Sequence, residues 1–521
     1  MRLSRQMTNL ILDSTVIYCL ACDQKQSGEI NRLWELRSRN KVFLWLYTGE
    51  IRGISEALGK DNVIDYPLGK VVEQPTHRQK VVNYMRSCNW LACLSEDLTG
   101  IADENPVVHA LLTAAKRLGD DTLIVTLDDE RLNIGHPFVS PQYALDCSNT
   151  NAQERIALVD LKTQQDKVRN EIESNLHKVL HHGHYIGGPE NDRVEADLAN
   201  YVGVDHCIGM SSGTDALLVS MMALNLGPGD EVITSPFSFA AAVEAIVLVG
   251  ATPVYADIDP HTYNLDACGI KSVISPRTRA IMPVSLYGQC CDMDQINEIA
   301  EVYGVPVIED GAQSFGSLYK ERRSCGLSTI GCTSFFPSKP LGAYGDAGAC
   351  FTSDPELALA IRQISNHGQS SRYRHVKVGL NARMDSFQAG VLLAKLSIFE
   401  EELELRRVVA ERYNVLLNDL ANLGEFKLPR VEAHNSSAWA QYTIEVSNRD
   451  NVQKFLSEMG VATAVHYPEP LYRQPAMSDP RTNCPNAERA SKRVISLPMH
   501  PYLTLESQQI IAATLFKAIR S

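Results

Sequence analysis

Short apolar, β-branched runs alternate with stretches of helical periodicity beyond residue 230, and this narrows the fold more than any other feature of the chain. Glu231-Val-Ile-Thr234, Thr252-Pro-Val-Tyr-Ala256, Ala280-Ile-Met-Pro-Val284 and Val305-Pro-Val-Ile-Glu-Asp310 read as buried strands. Residues 239–249 and 293–303 between them read as amphipathic helices. Upstream, Val168, Ile172, Leu176 and Val179 mark one face of a further helix. The alternation predicts an α/β domain with a largely parallel sheet. In such a sheet, functional groups gather at the carboxyl ends of the strands.

The chain has 521 residues, more than the roughly 100–200 that one domain holds. Apolar periodicity stops at Asp146-Cys-Ser-Asn-Thr-Asn-Ala-Gln-Glu154, where small polar residues take over. The expected division is a first module at residues 1–147, a linker at 148–156, a large domain at 157–400 and a small C-terminal domain at 401–521. Net charge is 49 − 62 = −13. Residues 1–150 carry 16 Lys+Arg against 19 Asp+Glu, or −3, which leaves −10 for the rest. That balance argues against a nucleic-acid or basic membrane-surface partner. No run reaches the roughly 18 apolar residues of a membrane span, and the start, with Arg2, Arg5 and Asp13 around a short apolar stretch, is not a secretory signal. The 13 cysteines are scattered, which suits a reducing cytoplasm. Cys19-Leu-Ala-Cys22 reads as buried small hydrophobes in preference to a redox or metal pair.

Four features bear on chemistry. Met210-Ser-Ser-Gly213-Thr214-Asp215 follows an apolar run and opens a helix, a turn whose N–H groups suit a phosphate and equally suit ordinary helix capping. Asp310 ends a strand and leads into Gly311-Ala-Gln313, where a carboxylate can pair with a protonated ring nitrogen or serve the turn. Ser334-Phe-Phe-Pro-Ser338-Lys339-Pro-Leu-Gly342 holds a lysine in a constrained turn, and a desolvated lysine can form a Schiff base. Asn381-Ala-Arg383 lies in an expected loop, where the arginine fork suits a carboxylate, a phosphate or a surface ion pair. A phosphate cradle, a strand-end acid and an imine-forming lysine together describe a pyridoxal 5′-phosphate (PLP) site.

With these motifs in this order, residues 155–521 resemble the DegT/DnrJ/EryC1/StrS sugar-nucleotide aminotransferases, members of PLP fold type I. The resemblance implies a large, mixed but mainly parallel sheet domain followed by a small C-terminal α/β domain. It also implies that Lys339 is the Schiff-base lysine, that Asp310 keeps the pyridine nitrogen protonated, and that Gln313 lies near the phenolic oxygen. Gly213, Thr214 and Ser334 match phosphate contacts, and Phe239 the ring that stacks on the pyridine, with a core phenylalanine as its alternative. Asn381 matches an asparagine that reaches the phosphate of a neighbouring subunit, which implies a homodimer with shared sites.

His182-Gly183-His-Tyr185, Pro283-Val-Ser-Leu-Tyr287-Gly-Gln289 and Ala464-Val-His466-Tyr467 are similar to one subgroup of that family. Its members aminate C3 of a UDP-linked 3-keto-2-acetamido sugar uronate, on the way to 2,3-diamino-uronic acids of surface polysaccharide such as lipopolysaccharide O-antigen. By that likeness Gly183, Tyr185, Ser338, Arg383, His466 and Tyr467 contact the UDP-sugar, Arg383 its carboxylate, and L-glutamate is the amino donor. Tyr185 and Tyr467 read equally as half-buried packing residues. Departures from the subgroup are Ser211-Ser212, His184 and Lys320-Glu-Arg-Arg323.

In the first module, two apolar runs end at or near Asp13 and Glu50, a helix start carries Asp103, and a third run ends at Asp128. This resembles a PIN-like α/β domain, whose active members gather such carboxylates around Mg²⁺ or Mn²⁺ to cut RNA. With a module charge of −3 and no basic stripe, interaction or regulation is the favoured role, and a metal-dependent ribonuclease is the alternative. A different keto-sugar nucleotide is the alternative for the transferase.

Overall fold

The computed structural model describes residues 155–421 and 426–520, together with two short strands, Ile11–Leu12 and Leu44–Trp45, that pair antiparallel. By contacts the chain divides into two units, Met1–Ser140 and Pro141–Ser521. The expected module carboxylates Asp13, Glu50, Asp103 and Asp128 lie outside the described residues, as does most of the expected linker.

The second unit opens with helix α1 (Leu161–His182). The Asp160 side chain accepts the Thr163 N–H at its start, and Gly183 ends it in the left-handed region at φ 71°. Val168, Ile172 and Val179 are buried along its inner face, and Val168 and Ile172 meet Val391 and Ala394. Helix α2 (Pro189–Val202) follows. From there the chain alternates as the pattern predicts: β1 (His206–Met210), α3 (Gly213–Ala223), β2 (Glu231–Thr234), α4 (Ala241–Leu248), β3 (Thr252–Tyr255), α5 (Ala267–Val273), β4 (Thr278–Met282), α6 (Met293–Tyr303) and β5 (Ile308–Asp310). Strands β6 (Ile330–Ser334) and β7 (Gly348–Thr352) complete the sheet.

Strands β3-β2-β4 and β1-β7-β6-β5 form two ladders. Parallel bridges Ile281–Val307 and Val284–Asp310 join them, so the spatial order is β3-β2-β4-β5-β6-β7-β1. Only β7 runs antiparallel to its neighbours. Strand β2 is buried at all four positions, as a strand covered on both faces must be. One difference from the sequence reading lies at β4, which spans 278–282 in place of 280–284. Pro283 has no N–H to give a ladder, and the strand stops before it.

Phe315, Phe335, Phe351 and Phe399 are each at most 1% exposed and cluster beside β6. Phe315 meets Phe335 edge to face at 5.5 Å. Such pairs add about 0.5–1.5 kcal/mol beyond burial, and here they fix the strand end that runs into the Lys339 turn.

Helices α7 (Pro355–Ile364), α8 (Ser386–Leu396) and α9 (Phe399–Ala421) lead to an antiparallel sheet of β8 (Phe426–Lys427), β9 (Tyr442–Val446) and β10 (Val494–Leu497). Helices α10 (Arg449–Glu458), α11 (Pro485–Arg493) and α12 (Leu505–Arg520) accompany it. Its core, with Tyr413, Leu417, Tyr442, Ile444, Ile495 and Leu515, is separate from that of the large sheet. No helix among the described residues is long and apolar enough to cross a membrane.

Candidate active site

Asp310 is the last residue of β5, buried at 7% exposure, and its Oδ1 accepts the Ala312 N–H at 3.0 Å. Burial raises its pKa, while that hydrogen bond and the charge of Lys339 pull the other way. Lys339 is half-buried, and burial lowers its pKa against the attraction of Asp310. Each group is drawn towards its neutral form by desolvation and held back by the other's charge. The turn that carries Lys339 is short: its N–H donates to Phe336 O at 2.6 Å, and Ala343 N–H returns to Phe335 O at 2.7 Å.

Gln313 follows Asp310 by three residues. Its Oε1 accepts the Tyr287 N–H at 2.9 Å and its Nε2 donates to the Tyr467 hydroxyl at 3.0 Å. Burial, then the nearby Asp310, pushes the Tyr467 hydroxyl pKa up. His466 is pushed down to about 4 by burial and by the Lys339 charge, and its Nδ1 pairs with Ser496 Oγ at 2.9 Å. It is therefore a neutral hydrogen-bonding group near pH 7. Phe239 is 60% exposed, with its ring 6.3 Å from that of Tyr467, so it is not a core residue of this chain.

At the other edge, Ser212 caps α3 by accepting the Asp215 N–H at 3.0 Å. A Cβ on Gly213 would lie 2.6 Å from Ser334 Cβ, and one on Gly348 would lie 2.5 Å from Ser212 O. The first turn of α3, with Gly213 and Thr214, thus lies on the end of β6 at a closeness only glycine permits. Its amides and the positive end of the helix dipole suit a phosphate. A helix N-terminus, a buried acid and a desolvated amine beyond the ends of neighbouring strands are groups that could hold PLP, with Gly213, Thr214 and Ser334 suited to its phosphate, Asp310 to its ring nitrogen and Lys339 to its aldehyde.

The remaining expected residues lie nearer the surface. Gly183 caps α1, Tyr185 is 49% exposed and stacks on Phe387 at 5.7 Å, and Ser338 is exposed. Ile186 bridges Asp385, and the Ser386 N–H reaches Tyr185 O at 2.8 Å, so this loop is tied to the segment that carries Asn381 and Arg383. Arg383 bridges Met210 beside the cradle. Its Nε and Nη2 donate to Asn381 Oδ1 at 3.1 and 2.7 Å, and its Nη1 donates to Asn366 Oδ1 at 2.8 Å. Asn381 itself is exposed.

Sequence reasoning assigned no role to Tyr287, whose hydroxyl donates to the His466 carbonyl, or to Ser496. Tyr287 lies within a stretch that the family likeness drew out. Lys395 was missed entirely, and its one signal was a charge within the apolar run Ala389-Gly-Val-Leu-Leu-Ala-Lys395. Among the described residues no group of three His, Cys, Asp or Glu side chains can hold a metal ion.

A profile of the DegT/DnrJ/EryC1/StrS aminotransferase family matches residues 166–516. The chain is 54% identical over 360 residues to the UDP-2-acetamido-2-deoxy-3-oxo-D-glucuronate aminotransferase of Pseudomonas aeruginosa, covering 69% of this chain and 99% of that one. It is 40% identical over 365 residues to the UDP-N-acetyl-3-dehydro-alpha-D-glucosamine 3-aminotransferase of Acidithiobacillus ferrooxidans, covering 70% and 98%. Among solved structures it is similar to S. venezuelae DesV in complex with a ketimine intermediate, at 36% identity and a TM-score of 0.68, covering 71% of this chain and all of that one. A Brucella abortus aminotransferase of the same family matches at 39% identity and 0.66, covering 70% and 100%. The site built on β5, β6 and the first turn of α3 therefore has the family it requires: the chain belongs to the DegT/DnrJ/EryC1/StrS aminotransferases, which are PLP-dependent.

Proposed function

We propose that residues 157–521 move an amino group from L-glutamate to C3 of a UDP-linked 3-keto-2-acetamido sugar uronate, a step towards 2,3-diamino-uronic acids of bacterial surface polysaccharide. The observation that carries this reading is the 54% identity with a relative named for that uronate, over nearly its whole length. When bound, PLP supplies an aldehyde that takes up the amino group and a ring that withdraws electrons from the carbon losing a proton.

The chain's own groups do the rest. Lys339 Nζ, its pKa lowered by burial, would be the base that takes the proton from Cα of the bound donor and the acid that gives it back. Asp310 holds a proton on the ring nitrogen, and Gln313 orients Tyr467. His466 meets the substrate as a neutral partner, and Ser338, Tyr185 and Gly183 line its approach. Asn381, exposed and with its Oδ1 occupied by Arg383, presents its amide N–H₂ to the phosphate of a second copy. The exposed Tyr373, Val376 and Val378 close by support a homodimer. The buried free thiols Cys207, Cys290, Cys291, Cys325, Cys332, Cys350 and Cys484 support a cytoplasmic home.

A neutral 3-keto sugar nucleotide is the second reading, favoured by the commitment of three Arg383 N–H groups to Asn381 and Asn366. A coupled assay with glutamate decides between them. The uronate reading expects the UDP-3-keto uronate to exceed its neutral counterpart in kcat/KM by tenfold or more, about 1.4 kcal/mol. Equal values would overturn it.

Residues 1–147 are proposed as a PIN-like interaction module. Their acid-ended apolar runs and lack of a basic stripe support this. Mn²⁺-dependent RNA cleavage by the full chain, lost in Asp13→Asn, would replace it with the ribonuclease reading.

A further inference from the structure

Lys395 lies on α8 and is 0% exposed, an unusual place for an ammonium group. Its Nζ donates to the carbonyl of Gly342 at 2.7 Å and stands 4.4 Å from the centre of the Tyr344 ring. Burial lowers its pKa to about 8, with Glu402 acting in the opposite direction. Glu402 is itself engaged elsewhere, by Gln164 Nε2 at 2.7 Å and by the Tyr502 hydroxyl. The nearest strong partner of Lys395 is therefore a backbone carbonyl three residues beyond Lys339.

That carbonyl belongs to the turn carrying Lys339. A Cβ on Gly342 would lie 2.5 Å from Pro337 O and 2.7 Å from Phe336 O, so the turn is closed upon itself. Nearly two helical turns before Lys395 stands Gln388: its Oε1 accepts the Tyr344 N–H at 3.0 Å, and it packs where Gly345 leaves room, 3.1 Å from that residue's would-be Cβ. Helix α8 thus grips the chain just after Lys339 at two places, through one carbonyl and one N–H. A buried charge is a costly way to hold a carbonyl, and a misplaced reacting amine is costly to catalysis.

We propose that α8, through Lys395 and Gln388, positions Lys339 by fixing the turn that carries it. On this proposal Lys395 and Gln388 are positioning residues, acting through the Gly342 carbonyl and the Tyr344 N–H. The inference rests on the reading of Lys339 as the amine that joins PLP.

The test uses the full-length holoenzyme. Borohydride reduction, which fixes the cofactor to the lysine it is joined to, followed by peptide mass analysis, checks Lys339 first; label on another lysine sinks that reading. With Lys339 labelled, Lys395→Met is expected to lower kcat about 10- to 100-fold. Both half-reactions should slow alike, because one lysine serves both, and the pH midpoint of the visible absorbance should move. Lys395→Arg, which keeps a charged donor, should recover part of the rate and of the midpoint. A folded Lys395→Met protein with a wild-type midpoint and rates within about twofold would overturn the proposal, whatever its melting temperature. If Lys395→Met does not fold, Gln388→Ala carries the test without disturbing a buried charge: the same two readouts should move in the same direction, and their constancy would overturn the proposal.

Discussion

Gln313 spans two tyrosines, accepting the Tyr287 N–H at 2.9 Å through Oε1 and donating to the Tyr467 hydroxyl at 3.0 Å through Nε2. The Tyr287 hydroxyl in turn donates to the His466 carbonyl. One amide thereby connects the strand-end acid's loop to the His466-Tyr467 pair some 150 residues later in the chain. Gln313→Ala leaves the buried Tyr287 N–H without its partner, at about 1–3 kcal/mol, and frees the half-buried Tyr467 hydroxyl. The expected result is weaker PLP retention together with a lower melting temperature, read by dialysis and calorimetry. Loss of stability with full retention would confine Gln313 to the scaffold.

Lys339→Ala removes the amine that faces Asp310. Turnover should fall by 10²–10⁴-fold or about that range, and the visible band of the lysine-bound cofactor should vanish. Full absorbance with bound PLP in this variant would show that another lysine does the work.

Gly213→Ala would place a Cβ 2.6 Å from Ser334 Cβ, where the first turn of α3 meets β6. Overpacking of this kind costs about 1–3 kcal/mol. Because the displaced amides are those of the proposed phosphate cradle, PLP affinity should drop about tenfold or more, measured by fluorescence titration of the apoprotein. Unaltered affinity would place the phosphate elsewhere.

Acid sensitivity follows from His466 and His500, both pushed down to about 4, chiefly by burial. Their unfolded value is 6.5, so the unfolded chain takes up protons that the folded one refuses. The histidines' contribution to stability is full above pH 6.5 and is lost as pH falls towards 4. Glu309, buried and raised to about 7, acts in the opposite sense and favours the fold at lower pH. Comparing His466→Gln with the parent cancels that term. The variant's urea midpoint should depend less on pH between 6.5 and 4, and parallel curves would contradict the assignment.

Arg383 offers a split between two roles. If it orients Asn381, Asn366→Ala and Arg383→Lys should both weaken PLP binding, since lysine cannot reproduce the fork. If it also meets the sugar carboxylate, Arg383→Lys should raise KM for the uronate while leaving the glutamate half-reaction unchanged. Single-turnover measurements with each substrate separate these outcomes.

Much of the candidate site was legible from residue order alone. Asp310 ends an apolar run, Gly213 and Thr214 open a helix, and Lys339 stands among Pro and Ser, so local chemistry marked each one. Residues that act through distant contacts left fainter marks. Ser496 holds His466 from 30 residues away, and Lys395 holds Gly342 from 53 away. No periodicity or short motif encodes such separations.

The alternation of strand and helix patterns, read without coordinates, already implied an α/β sheet with chemistry at its strand ends, because side-chain period and turn residues are local properties of the chain. Folding had to supply the sheet order β3-β2-β4-β5-β6-β7-β1, the reversal of β7, and the packing of α8 beneath the Lys339 turn. It also gave Arg383 its partners and left Phe239 exposed. These depend on which desolvated groups meet across hundreds of residues, and burial with hydrogen-bond pairing settles that only when the whole chain has closed on itself.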